Sequence, residues 1–154
     1  MQDGAKIKDF LLEWTLHYLK NRDLISKKIE SIEKGKDKFD AFVKYKDKDQ
    51  YLSIIPQIKD LNFLERLDKE KNHLISVFNT KENLSKIVDN WHKLIDFKLL
   101  CILFVNPWSS YDKRWIIYPY THHRIADESS LKAGLKSMFE TVEPVKKSQL
   151  ENLD

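Results

Sequence analysis

HLISVFNTKENLSKIVDNWHKLIDFKLLCILFV, His73 to Val105, sets two apolar runs on either side of a helical repeat. HLISVFN (73–79) is a compact apolar run of strand length. Leu84, Ile87, Val88, Trp91 and Ile95 then recur at the 3.6-residue period of an amphipathic helix. KLLCILFV (98–105) is apolar at nearly every position, and a strand with no polar face must be covered on both sides. It therefore reads as the central strand of a layered α/β sheet. Strand, helix and strand in this order form a right-handed parallel crossover in nearly all proteins.

Toward the N-terminus, FDAFVKY (39–45), the polar turn KDKDQ and YLSIIPQI (51–58) read as a hairpin, with Pro56 ending the second strand or marking it as an edge. In the first strand, alternation puts Phe39, Ala41, Val43 and Tyr45 on one face. Leu61, Leu64 and Leu67 predict a short helix. Ile7, Phe10, Leu11, Trp14, Tyr18, Ile25, Ile29 and Ile32 recur at helical spacing, so residues 5–33 read as one long helix, or two with a break near Asn21. Gly35 supplies its stop in a left-handed conformation. Such a helix would be about 43 Å long at ~1.5 Å per residue, longer than the domain needs, which suggests a homodimer.

Toward the C-terminus, Asn106-Pro107 opens a turn and RWIIYPY (114–120) returns as a fifth strand. Leu131, Leu135, Met138, Phe139 and Val142 predict a final helix. The chain thus reads as one α/β domain over 1–145, followed by a flexible tail over 146–154. The domain has a mixed five-stranded sheet, a long N-terminal helix, a crossover helix and a C-terminal helix.

Composition sets bounds on function. Hydrophobic residues are 42% and charged residues 33%, which suits neither a disordered nor a membrane chain. The absence of an apolar run of spanning length or a signal-peptide core suggests a cytoplasmic protein with no membrane partner. The single cysteine, Cys101, cannot form an internal disulfide and reads as a buried thiol. Net charge is only +3, although Lys34, Lys36, Lys38, Lys44, Lys46 and Lys48 crowd one stretch with Asp37, Asp40 and Asp47. With three glycines in the chain, a Gly-rich phosphate loop is excluded.

The order of a long helix, a hairpin, a third strand, a helix and a buried strand resembles the PD-(D/E)XK nucleases, over roughly residues 5–106. SVFNTKENLSKIVDNWHKLIDFKLLCILFVNP resembles the family's segment carrying the E-x-K signature, the following helix and the next core strand. The resemblance implies an acidic residue on the second strand, and an acid-x-Lys on the third, holding Mg²⁺ that activates water. Matched by position, Asp40, or Asp60, is the first carboxylate, while Asn79 and Lys81 fall where E-x-K belongs. Asn79 departs from the pattern, because an amide offers one oxygen and no charge. Glu82 or Glu13 could compensate. On this reading Asp40, Lys81 and Glu82 form a degenerate catalytic set, with Asp40 and Glu82 as metal ligands. The competing reading is structural, with Asn79 and Glu82 forming a capping-box-like helix start. No cofactor is required on either reading, and Mg²⁺ only for an active nuclease.

WIIYPYTHHRIAD (115–127) concentrates other chemistry. Read as strand, His122 and His123 point to opposite faces and cannot share a metal. Asp127 can cap the last helix, with Glu128 adding charge there. Arg124 could grip a carboxylate or phosphate, or pair with Asp127 or Glu128. Trp108, Tyr118 and Tyr120 beside Lys44, Lys46, Lys113, Arg114 and Arg124 suit nucleic-acid stacking or a protein interface. The leading expectation is a nuclease-like, nucleic-acid-binding domain or subunit of a nucleic-acid-processing complex. A non-catalytic adaptor and an active Mg²⁺-dependent nuclease are the alternatives.

Overall fold

A computed structural model describes residues 2–35 and 38–153; Lys36 and Asp37 of the lysine-rich stretch lie outside the described residues. The chain runs α1 (Gln2–Arg22), β1 (Ile29–Lys34), β2 (Ala41–Tyr45), β3 (Asp49–Ile54), a 3₁₀ turn (Asn62–Arg66) and β4 (Asn72–Phe78). It continues through α2 (Lys81–Asp89), α3 (Trp91–Leu94), β5 (Leu100–Val105), β6 (Arg114–Ile117), α4 (Pro119–Ile125), α5 (Glu128–Glu140) and α6 (Lys147–Glu151). The six strands lie side by side in chain order in one mixed sheet. β3, β4 and β5 are parallel, and β1/β2, β2/β3 and β5/β6 are antiparallel.

Alternation along the parallel strands builds two cores. Leu74, Phe78, Cys101, Leu103 and Val105 face Leu11, Leu16 and Leu19 of α1. Ile75, Val77, Ile102 and Phe104 face Ile87, Trp91, Leu135 and Phe139 of the α2, α3 and α5 layer. The all-apolar reading of KLLCILFV holds, since every residue of β5 is buried. It is an interior strand, one place in from the β6 edge. A buried polar link joins α1 to β4: Thr15 Oγ1 donates to Leu11 O at 2.7 Å and lies 2.9 Å from Ser76 Oγ.

Four parts of the chain differ from the sequence reading. The first helix ends at Arg22, and Ile29–Lys34 is a sixth, edge strand. Asp23 turns the chain, its carboxylate accepting from Lys28 N at 2.8 Å and Ile29 N at 2.9 Å. The i, i+3 pair Ile29 and Ile32 mimics a helical stripe because β1 has a bulge: Ile29 lies opposite Tyr45 and Ile32 opposite Val43, two residues of one face. The extra residue puts both isoleucines over the α1 core. Gly35 does adopt a positive φ, +66°, but in the turn after β1. With α1 stopping at Arg22, the excess length that suggested a second copy is absent.

The crossover helix is interrupted at Asn90 into α2 and α3. RWIIYPY is strand only as far as Ile117, and Pro119 starts α4 at a position where its missing N–H costs nothing. Residues 146–154, expected as a tail, include α6, whose Leu150 packs against the α1 core. Among the described residues no helix is long and apolar enough to cross a membrane.

Candidate functional site

The FNTKE turn, at the C-terminal end of β4, is built around buried asparagines. Asn79 is fully buried, and each of its polar groups is used. Its side-chain amide donates to Val142 O at 2.9 Å and approaches Glu143 O and Phe139 O at 3.3 and 3.4 Å. Trp115 Nε1 donates to Asn79 Oδ1 at 2.8 Å. Its backbone N–H donates to Val105 O, and its carbonyl accepts from Val145 N, both at 2.8 Å. The expected capping by Asn79 is therefore corrected: Thr80 is the cap, its hydroxyl accepting from Asn83 N at 3.1 Å. Asn106 ends β5 in the same manner, donating to Glu143 O at 2.7 Å and accepting from Trp108 N at 2.9 Å. The sequence signal was an asparagine directly after each of two apolar strands, VFN and FVN.

Of the other metal candidates, Asp40, Glu13 and Asp60 are also held by protein groups. Asp40 takes Lys8 Nζ at 2.8 Å on one oxygen and Ile54 N at 2.7 Å on the other. This ties it to α1, whereas Lys81 and Glu82 start α2 on the opposite face of the sheet. Glu13 is paired with Lys34, and Asp60 accepts from Asn62 N at 2.9 Å. Among the described residues no three His, Cys, Asp or Glu side chains gather as metal ligands. Lys81 instead lines an open groove of about 830 Å³ with Ser85, Tyr111, Lys136, Glu140 and Glu143.

The aromatic segment divides between core and surface. Trp115 is buried, stacked on Phe104 with centroids 4.3 Å apart. Trp108 stacks on Phe10 at 5.4 Å, and Lys113 donates to Pro107 O and Ser109 O, so both serve the turn they sit in. Tyr118 stands at the N-cap of α4 without a side-chain capping bond, and Tyr120, His122, His123 and Arg124 lie on this helix, not on alternating faces of a strand. His123 Nδ1 accepts from Trp91 Nε1 at 3.3 Å, and His122 Nδ1 lies 3.2 Å from Tyr118 O. Arg124 covers the Tyr120 ring and donates to its hydroxyl at 3.2 Å. Asp127 stands at the N-cap of α5, but its side chain makes no capping bond. Lys44 and Lys46 are exposed on the hairpin.

The groups that do converge lie where α1 crosses the sheet. Trp14, Tyr18 and Arg22 recur every four residues and so share one face of α1. Trp14 and Tyr18 stack at 5.7 Å with planes 8° apart. Arg22 lies 5.4 Å from the Tyr18 ring centroid and Arg114 of β6 lies 5.1 Å from it. Lys48 stands 5.2 Å from the Tyr45 ring. Beneath them is a largely closed cavity of about 60 Å³, whose lining includes Arg22, Lys48, Gln50, Asn72, Cys101 and Tyr118.

None of the described residues lining this cavity is acidic. Burial pushes the Cys101 thiol up to about 12 and raises the Tyr118 hydroxyl, so both stay neutral near pH 7. Burial opposes the Arg22 charge, but contacts with Tyr18 and Tyr45 more than offset it and raise its pKa. Sequence reading had assigned Trp14 and Tyr18 to a hydrophobic stripe and had not singled out Arg22. The i, i+4, i+8 spacing was visible, but only the folded chain brings Arg114 to it. No family model, curated protein or solved structure matches the chain.

Proposed function

We propose that this chain is a nuclease-like domain that binds nucleic acid without cleaving it, through the Trp14, Tyr18, Arg22 and Arg114 face. The observation that carries the reading is the half-buried Tyr18 ring, stacked on Trp14 and flanked by two guanidinium groups. Stacked rings beside cations match the two needs of a single strand, a platform for bases and counter-charge for phosphates. Non-cleavage is supported by the contacts of Asp40 and Asn79, whose oxygens already have protein partners.

Fluorescence anisotropy with labelled single-stranded DNA and RNA at low salt tests this. Base stacking on an aromatic ring contributes about 1–3 kcal/mol, so Tyr18→Ala should weaken binding about 5- to 150-fold. The strand should remain intact after incubation with Mg²⁺. Equal binding by Tyr18→Ala, or Mg²⁺-dependent cleavage that Lys81→Ala abolishes, contradicts the proposal.

A second reading has its own observation. Ile125, Tyr118 and Leu99 are 77%, 46% and 45% exposed around α4, which suits a protein-docking surface of an adaptor. Loss of a partner on Ile125→Lys, with nucleic-acid binding unchanged, would favour it.

A further inference from the structure

We propose that the cavity beneath Tyr18 is a pocket for one phosphomonoester group, the terminal phosphate of a bound strand. The strand that carries the phosphate rests on the nucleic-acid reading above; the anion pocket itself does not. At about 60 Å³ the cavity is too small for a nucleotide. A buried water needs roughly 10–15 Å³, so the space holds about four to six waters, room for the four oxygens of a phosphate.

Its chemistry is one-sided. Arg22 and Lys48 supply two positive charges, matching a phosphomonoester of about −1.5 to −2 at pH 7. Gln50, only 7% exposed, accepts from Tyr45 Oη at 3.4 Å, and its NH₂ has no partner among the described residues. The Asn72 side-chain amide has no hydrogen-bond partner among the described residues. Gln50 and Asn72 thus line the cavity beside two cations, while Leu74, Cys101 and Leu103 supply an apolar floor that strengthens charge interactions.

Two carboxylates, Asp23 and Asp47, line an adjoining cavity that shares Arg22 and Lys48. Both are engaged elsewhere: Asp23 by Lys28 N, Ile29 N and Ser26 Oγ, and Asp47 by Lys28 Nζ at 4.0 Å. A largely closed cavity admits a group hung on one bond, not a backbone passing through. That selects a terminal phosphate over an internal diester. Tyr18 lines the same cavity, so the adjacent base falls within reach of the Trp14–Tyr18 stack.

The test compares one oligonucleotide of about ten nucleotides with hydroxyl ends, with a 5′-phosphate and with a 3′-phosphate, at constant ionic strength. One phosphorylated form should bind about tenfold tighter. Within each of the variants Lys48→Gln and the cavity-filling Cys101→Leu, the phosphorylated strand should bind no tighter than the hydroxyl-ended one. Lys48 is exposed, so its variant reports even if Cys101→Leu fails to fold. A parallel arm measures Tm in inorganic phosphate against chloride at matched ionic strength, where phosphate should raise Tm through Lys48. Equal binding of all three strands with no phosphate effect on Tm overturns the pocket and leaves the nucleic-acid reading standing. No strand binding, with a Lys48-dependent Tm rise in phosphate, supports the pocket for free phosphate and overturns the nucleic-acid reading.

Discussion

Replacing Asn79 by Asp would restore the carboxylate that an E-x-K motif requires, but would set one of its oxygens against carbonyl acceptors. The amide now donates toward the carbonyls of Phe139, Val142 and Glu143, which a carboxylate would repel. An unpaired buried charge costs about 3–5 kcal/mol, so Asn79→Asp should lower the urea midpoint sharply, and Mg²⁺ should not restore it. Recovery of stability in Mg²⁺ would show a metal site that these contacts argue against. A second residue-scale prediction concerns His73, whose ring is buried beside Phe39 and Tyr51. Its Nε2 meets Asp68 N and O at 3.0 and 3.1 Å, while Nδ1 has no partner among the described residues. Burial lowers its pKa below 6.5, so the native state takes up a proton less readily than the unfolded chain. Stability is then full above about pH 6.5 and falls as pH drops toward the folded pKa, by at most about 1.4 kcal/mol per unit. Urea midpoints across this window should show the decline, and His73→Gln should flatten it; an unchanged profile in the variant assigns the decline elsewhere.

Elements were legible in the sequence where one physical cause dominated. β5 declared itself because burial on both faces leaves no polar residue, and α2 because its apolar positions keep helical period. β1 was hidden by its bulge, which gives a strand the i, i+3 spacing of a helix. The strand ending at Ile117 was overrun for a different reason, since Tyr118 and Tyr120 are strand-favouring residues and Pro119 is as good a helix start as a strand end. The candidate site was less legible than the fold. Trp14, Tyr18 and Arg22 share a helix face, but Arg114 reaches them from another layer, a placement no local pattern encodes. The turn that separates α1 from β1 depends on Asp23, which accepts from Lys28 N and Ile29 N. Asp23→Ala should therefore raise hydrogen-exchange rates at the Lys28 and Ile29 amides and along β1, and leave β4 and β5 protected. Uniform loss of protection across the sheet would mean that β1 unfolds only with the whole domain.

At the scale of the molecule, α1 on one face and the α2, α3 and α5 layer on the other leave two working ends of the sheet. The end after β4 and β5 is occupied by Asn79, Asn83 and Asn106, all nearly inaccessible and spent on joining loops. The other end holds the acid-free cavity under Tyr18, Arg22 and Lys48. On the proposed function this end binds a nucleic-acid strand through charge as well as stacking. The most direct test is the salt dependence of single-strand affinity for the wild type and for the Arg22→Gln, Arg114→Gln double variant. Each lost phosphate contact should reduce the slope of log affinity against log salt by about 0.7 for a single strand, so the double variant should lose about 1.4 of slope together with affinity. An unchanged slope in the double variant, or no wild-type binding at low salt, contradicts the account.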